Sequence, residues 1–334
     1  MNINSFAAQK PKSELTPFIY APDSLKAHEV IVKITHCGIC HSDIHLIDND
    51  WMVSKYPLVP GHEIVGLVTD TGSDVKHLKA GDRVGIGWQS GSCHNCDYCN
   101  TGQENLCKQG QPTCNGHYGG FAEYVVTDSK FAFPIPEELE SVNAAPLLCA
   151  GITVYSPMRI YGIEPHHKVG VVGIGGLGHI ALQFAKAFGC EVTAFSSSPN
   201  KKEEALSFGA KHFVNSTDTK AMQSIFGTLD YIITTATAPL DWASYIKVLR
   251  PNGRLNFVGG TVGNLNIPVS LILGHQKSVS GSAIGGRPMM TDMLRFAARH
   301  NVIAKTEVMP LKEVNTALTK VRDNKARYRM VLEV

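Results

Sequence analysis

The stretch VGVVGIGGLGHIALQFAKAFG, residues 169–189, decides the fold of its half of the chain. It opens on a short apolar run, passes through a cluster of glycines, and continues with apolar residues at helical spacing. Gly173, Gly175 and Gly178 form a G-x-G-x-x-G pattern that encloses Gly176 and Leu177. Glycine lets the chain turn tightly and lets backbone N–H groups approach a pyrophosphate. The helix N-terminus adds a partial positive charge. Alone, this spacing is weak; between a strand and a helix it reads as a dinucleotide-binding turn. A tight strand–helix turn without a ligand is the alternative.

The pattern continues outward from that turn. Strand-like KVGVVG, EVTAF, DYIITT and RLNFVG alternate with helical GLGHIALQFAKAFG, PNKKEEALSFG and PLDWASYIKVLR. Such alternation predicts an α/β domain, a parallel sheet with helices on both faces. The end of EVTAF refines the cofactor. NAD enzymes usually place Asp or Glu there to bond the ribose 2′-hydroxyl. Here FSSSPNKK supplies Ser196, Ser197 and Ser198, then Lys201 and Lys202. No carboxylate repels a 2′-phosphate, and hydroxyls with an ammonium can bond one, so NADP is favoured over NAD. Ser198 can also cap the next helix, with Pro199 in its first turn.

The N-terminal half has a different texture. EVIVKITHCGIC, HEIVGLVTDTG, GDRVGIGW and FAEYVV are short, rich in β-branched residues and bounded by Gly and Asp, so they predict strands. SVNAAPLLCAGITVYSPMRIYG reads as helix, broken in two near Gly151. MMTDMLRFAARHN reads as a last helix. At 334 residues the chain suggests two domains. Its 31 basic and 29 acidic residues give a net charge of +2, which offers no field for nucleic acid or an anionic membrane. MNINSFAAQKPKSELTPF lacks the apolar run of a signal peptide, and no stretch nears the ~18 apolar residues of a membrane span. A cytoplasmic protein is expected, whose nine cysteines serve as thiols or metal ligands rather than disulfides.

Four of those cysteines, Cys93, Cys96, Cys99 and Cys107, are spaced C-x2-C-x2-C-x7-C. That spacing suits tetrahedral zinc, and four thiolates leave no open position, so such a site is structural. His94, inside the loop, reads as a bystander. Other ligand types are scattered: Cys40 in HCGICHSDIH, His62 and Glu63 in PGHEIVG, Cys149 in PLLCAGITV. Spacing alone proves nothing for these. A Cys–His–Cys set would leave zinc one open position, able to polarise a carbonyl. Cys37 and Cys190 read as small buried hydrophobes, and Cys114 lies in a loop where exposure is expected.

Together GICHSD, GHEIVG, the four-cysteine loop, PLLCAG, GIGGLG and SSSPNKKEEA resemble the zinc-dependent medium-chain alcohol dehydrogenases, in their cinnamyl-alcohol-dehydrogenase-like group. IDNDW, PLVPGHE, RVGIGW, GCEVTAFSSSP, PLDW, SVSGSA and KARYR are most similar to the bacterial NADPH-dependent broad-range aldehyde reductases. The similarity runs through nearly the whole chain.

The resemblance implies a GroES-like β-rich catalytic domain over residues 1–149, completed by 284–334. A Rossmann NADP-binding domain over 150–283 would hold the doubly wound parallel sheet, with the active site in the cleft between the two. It implies two zinc ions: a catalytic one on Cys40, His62 and Cys149, which Glu63 joins when the open position empties, and a structural one on the four-cysteine loop. Asp43 would orient the zinc histidine. Ser42 would pass a proton to the substrate oxygen and His45 would end the relay; otherwise Ser42 caps a turn and His45 is an exposed helix residue. His41 and Arg327 would reach the cofactor phosphates, although Arg327 equally suits a surface ion pair. Trp51 and Trp88 would wall the substrate pocket or simply fill a core.

The implied activity is reversible reduction of small aldehydes to primary alcohols with NADPH. A selective cinnamyl-type dehydrogenase is the second reading, and a non-catalytic NADPH-binding protein the third. That third reading expects a missing ligand or relay hydroxyl, yet Cys40, Ser42, His62, Glu63 and Cys149 are all present. A homodimer formed through the coenzyme domain is expected, with SVSGSA as the candidate edge strand.

Overall fold

The structure, a computed structural model, describes residues 1–260 and 263–334. The chain divides into two units, one of Met1–Ile152 with Gly285–Val334 and one of Thr153–Ile284.

The first unit is organised on the long strand Glu29–Ile39, whose Val30, Val32 and Ile34 point into the core on a period of two while Lys33 faces out. Three strands pair with it, all antiparallel. Glu63–Thr71 runs along most of its length, Tyr124–Asp128 covers its beginning, and Arg329–Glu333 covers its end. The registers matter at that end. Glu63 lies opposite Gly38, and Met330 lies opposite Ile39. The residue after Ile39 is Cys40, so the pairing draws Cys40, Glu63 and Arg329 to one corner of the sheet. Gly38 is required there, because a Cβ at that position would lie 2.1 Å from Glu63 Oε2.

The second unit holds six strands, all parallel, in the order His212–Asn215, Glu191–Ser196, Lys168–Val172, Leu229–Thr234, Leu249–Phe257, Ser278–Gly281. This is the doubly wound order that begins at a central strand and winds first one way and then the other. The reversal leaves a crevice at the carboxyl ends of Lys168–Val172 and Leu229–Thr234. Phe195, Ile232, Ile246 and Leu255 build the core beneath it. Ser278–Gly281 is the outermost strand on its side, as SVSGSA suggests.

The segment 141–160 corrects one expectation. There is no break near Gly151. An α-helix Ser141–Pro146 passes into a π-helical turn Leu147–Gly151 and on into a second α-helix Ile152–Ile160. All five residues of the π turn are buried, and that burial holds the glycine in helical conformation where an exposed one would end the helix. Among the described residues, no helix is long and apolar enough to cross a membrane.

Candidate active site and metal centres

Asp43 is the hub of the corner. It follows Cys40 in the first turn of the helix His41–Asp48, and it is fully buried. Its Oδ2 accepts the Cys40 N–H at 2.9 Å. Its Oδ1 accepts the Gly61 N–H at 2.9 Å and His62 Nδ1 at 2.8 Å. A carboxylate only accepts, so His62 donates through Nδ1 and turns Nε2 away. Nε2 then lies 3.3 Å from Cys149 Sγ, and Cys149 Sγ lies 4.0 Å from Cys40 Sγ.

One donor atom from each of Cys40, His62, Glu63 and Cys149 falls within 4.8 Å of the others, and all four residues are buried. Ligands at about 2.3 Å around a tetrahedral zinc stand roughly 3.8 Å apart, so the spacing suits that ion. Cys149 sits in the middle of the π turn, a feature that recurs at functional sites.

The electrostatics fit a cation at this corner. A hydrogen bond from Cys149 holds the Cys40 thiol well below its usual range against burial, with help from His62 and Arg329. Burial opposes charge on His62, but Asp43 and the Cys149 sulfur keep its pKa well above the ordinary value. A metal competes for the Nε2 position with that proton. Burial lifts the Glu63 carboxyl to about 7, although Arg329 pulls the other way. Arg329, itself buried, forms an ion pair with Glu63 Oε1. Burial works against its charge and Glu63 more than restores it, so the guanidinium stays ionised. Glu63 Oε2 is a buried acceptor with no hydrogen-bond partner among the described residues.

A second cluster gathers Cys93, Cys96, Cys99 and Cys107, again within 4.8 Å. Cys93 Sγ lies 3.9 Å from Cys99 Sγ and 3.5 Å from Cys107 Sγ. No open side remains among four sulfurs. The loop is pinned at both ends. Buried Glu104 accepts from Arg287 N and Nε at 2.9 and 2.8 Å, and His94 Nε2 meets Asp128 at 2.6 Å. His94 is therefore engaged outside the cysteine cluster.

In the second unit the glycines do separate work. Gly173 takes φ +87°, and a Cβ on Gly178 would fall 1.9 Å from the Gly173 carbonyl oxygen, so both are needed to close the turn. A Cβ on Gly175 meets nothing within 4 Å. The space it would fill is a cradle at the start of the helix Gly178–Ala187, where a pyrophosphate fits. Leu177 precedes that helix as its cap, beside Gly176. Lys201 Nζ donates to the Ile174 carbonyl at 2.6 Å, which brings its charge to the same turn. Ser196 is buried at the end of its strand and accepts the Ser198 N–H at 3.1 Å, while Ser197 is exposed. Ser198 occupies the cap position before Pro199 but makes no side-chain cap bond, which leaves its hydroxyl outside the helix end.

Residues 26–137 match the alcohol dehydrogenase GroES-like domain, and residues 176–299 match the zinc-binding dehydrogenase domain. The chain is 44% identical over 330 residues to the aldehyde reductase AdhA of Synechocystis sp., covering 99% of this chain and 98% of that one. It belongs to the zinc-binding alcohol dehydrogenase family. Among solved structures, a cinnamyl alcohol dehydrogenase from Sorghum bicolor superposes with a TM-score of 0.96 at 42% identity, covering 100% of this chain and 98% of that one. The cinnamyl alcohol dehydrogenase of Helicobacter pylori, complexed with NADP(H), gives 0.92 at 34% identity, covering 100% and 98%.

Ser42 and His45 lie on the helix that Asp43 anchors. His45 Nδ1 meets Asp50 at 2.8 Å, so it donates there. Its ring packs 5.2 Å from that of Trp51, Trp51 lies 6.2 Å from Trp88, and Trp88 stands edge-on 4.9 Å from His62. Trp88 therefore stands beside the buried histidine with Trp51 beyond it, and 43% of Trp51 remains exposed. His41 is exposed at the head of its helix. Arg327 belongs to the first unit, where its backbone N–H donates to Glu307 at 2.6 Å.

Two expectations about cysteines fail. Cys114 is fully buried, because its loop folds under the histidine; Sγ lies 3.9 Å from Asp43 Oδ1 and 4.0 Å from His62 Nδ1. Cys190 is only half-buried, since it ends a helix turn and donates to the Glu164 carbonyl at 3.4 Å. Cys37 is buried as expected. Sequence reasoning passed over Arg329 and Glu104. Nothing in KARYRMVLEV separates Arg329, the buried arginine, from Arg327 two residues before it.

Proposed function

We propose that this protein is a zinc-dependent, NADPH-dependent aldehyde reductase that also runs as an alcohol dehydrogenase. The observation that carries the reading is the convergence of Cys40, His62 and Cys149 on one buried point beside Glu63. These residues hold the catalytic zinc, and Cys93, Cys96, Cys99 and Cys107 hold the structural one. When bound, zinc supplies a Lewis acid for the carbonyl oxygen and NADPH supplies hydride.

The chain's own residues do the rest. Asp43 fixes the His62 tautomer and raises its basicity as a ligand. Arg329 neutralises Glu63 and keeps that carboxylate in reserve at the corner. Ser42 Oγ gives a proton to the developing alkoxide and recovers it through His45, whose Nε2 exchanges with solvent. Trp51 and Trp88 provide an apolar wall for the substrate. The glycine turn seats the pyrophosphate, and Ser196, Ser197, Ser198 and Lys201 receive the 2′-phosphate. Arg327 adds charge for the cofactor phosphates, and His41, whose partial desolvation favours the neutral ring, offers them a hydrogen bond. The domain assignment follows: residues 1–149 with 284–334 form the catalytic domain, and 150–283 the NADP domain.

A selective cinnamyl-type activity is the second reading, favoured by the resemblance to the Sorghum bicolor enzyme. We further propose a cytoplasmic homodimer joined through Ser278–Gly281, whose outer edge has no strand partner among the described residues. One assay tests the activity: cofactor oxidation with a panel of aliphatic and aromatic aldehydes, run with NADPH and with NADH. Turnover with NADPH across both aldehyde classes is expected. Turnover confined to cinnamyl-type aldehydes selects the second reading, and turnover with NADH alone overturns the 2′-phosphate assignment.

A further inference from the structure

A groove of about 560 Å3 opens in the second unit, lined by Tyr161, His167, Tyr231, Arg250, Asn252 and Arg254. His167 precedes the strand Lys168–Val172, and Tyr231 is near the start of Leu229–Thr234. The groove therefore lies at the amino ends of the parallel strands, the opposite end from the glycine turn. The cofactor reading leaves it unused.

Its chemistry is one-sided. Nearly every polar group in it donates. The Arg254 guanidinium lies over the Tyr161 ring, 4.1 Å from the centroid, and has no carboxylate partner among the described residues. His167 Nδ1 accepts the Glu164 N–H at 2.9 Å, so its proton sits on Nε2, which becomes a donor. The only carboxylate, Asp230, is already committed: it pairs with Arg250 and accepts the Lys168 N–H at 2.7 Å. The decisive group is Tyr231. The residue is 4% exposed, and its hydroxyl is buried without a hydrogen-bond partner among the described residues. An orphaned hydroxyl just behind a cavity wall costs stability until a partner satisfies it. The helix Ile152–Ile160 presents its carbonyl end to Tyr161, so attraction for an anion has to come from these side chains rather than from a helix dipole.

We propose that this groove binds the oxyanion of a small phosphorylated molecule. The oxyanion sits on Arg254 and His167 Nε2, and a small shift of the Tyr231 side chain brings its unpartnered hydroxyl to a third oxygen. An arginine held flat by an aromatic ring presents its fork to two oxygens, which suits phosphate geometry. The volume exceeds what a bare phosphate needs and falls in the range of small-ligand sites, leaving Asn252 and Arg250 to contact the remainder.

The test titrates NADPH-saturated enzyme with inorganic phosphate and with glycerol phosphate, against sodium chloride of matched ionic strength, by calorimetry and thermal midpoint. NADPH keeps phosphate away from Ser196–Lys201. Saturable binding is expected, at least as tight for glycerol phosphate as for inorganic phosphate. Arg254→Gln and Tyr231→Phe should each weaken it at least tenfold while aldehyde turnover stays unchanged. Lys201→Ala, at its own NADPH saturation, should leave it intact. Without added anion, Tyr231→Phe should raise the thermal midpoint, because it removes the orphaned hydroxyl. Binding absent from the wild type, binding that survives both groove variants, or binding lost with Lys201→Ala would each overturn the proposal.

Discussion

Asp43 spends its two oxygens on three donors: the Cys40 and Gly61 backbones and the zinc-facing histidine. Asn offers one acceptor oxygen and an amide that must face a donor. Asp43→Asn should therefore weaken zinc binding about 10–100-fold, read by chelator competition, with the fold retained. Arg329 raises a different question, since it touches no reacting group. Arg329→Met strands Glu63 as an uncompensated buried charge and should cost about 3–5 kcal/mol, read as a lower urea midpoint. Adding Glu63→Gln should recover most of that loss; no recovery would deny the pair its role. These two residues also mark the limit of the sequence. Asp43 is visible because it stands three residues from Cys40 inside a motif. Arg329 becomes visible only through the register that sets Met330 against Ile39, and a charge two residues from Arg327 gives no sign of which one is buried. Cys114 misleads for a related reason: a loop sequence says nothing about whether the loop is folded under a histidine.

Elements explain why most of the coenzyme unit was legible. Its turn, strands and helices are local, and each carries its own period, so alternation of strand and helix suffices to lay them out. The glycine turn can be tested at two positions that differ in cause. At Gly175 an added methyl meets open space, so Gly175→Ala should keep the thermal midpoint and raise KM for NADPH on the order of tenfold, about 1.4 kcal/mol. At Gly178 the methyl meets the Gly173 carbonyl, so Gly178→Ala should lower the thermal midpoint as well. Equal behaviour of the two variants would contradict the separation of cradle from closure. The π turn at Leu147–Gly151 was not legible, because a glycine in an apolar helical run signals a stop unless tertiary packing overrides it. That packing is also what carries Cys149 to the corner.

On the scale of the molecule, the chain leaves the first unit at Ile152 and returns at Gly285 to add its final strand beside Glu29–Ile39. The catalytic corner thus needs both ends of the sequence, and the two clusters of ligands lie in the same unit with different consequences. On the proposed reading, Cys40, His62 and Cys149 beside Glu63 serve turnover, and the four-cysteine set, which can fill all four positions of a tetrahedral ion, serves stability. One comparison tests this division most directly: zinc content, thermal midpoint and NADPH-dependent aldehyde turnover of the wild type, Cys40→Ser and Cys96→Ser. The wild type should carry two zinc ions per chain. Cys40→Ser should lose the catalytic ion and all turnover while its thermal midpoint holds, and Cys96→Ser should lose the structural ion and at least about 5 °C of thermal midpoint. Full turnover in Cys40→Ser, or an unchanged thermal midpoint in Cys96→Ser, would contradict the account.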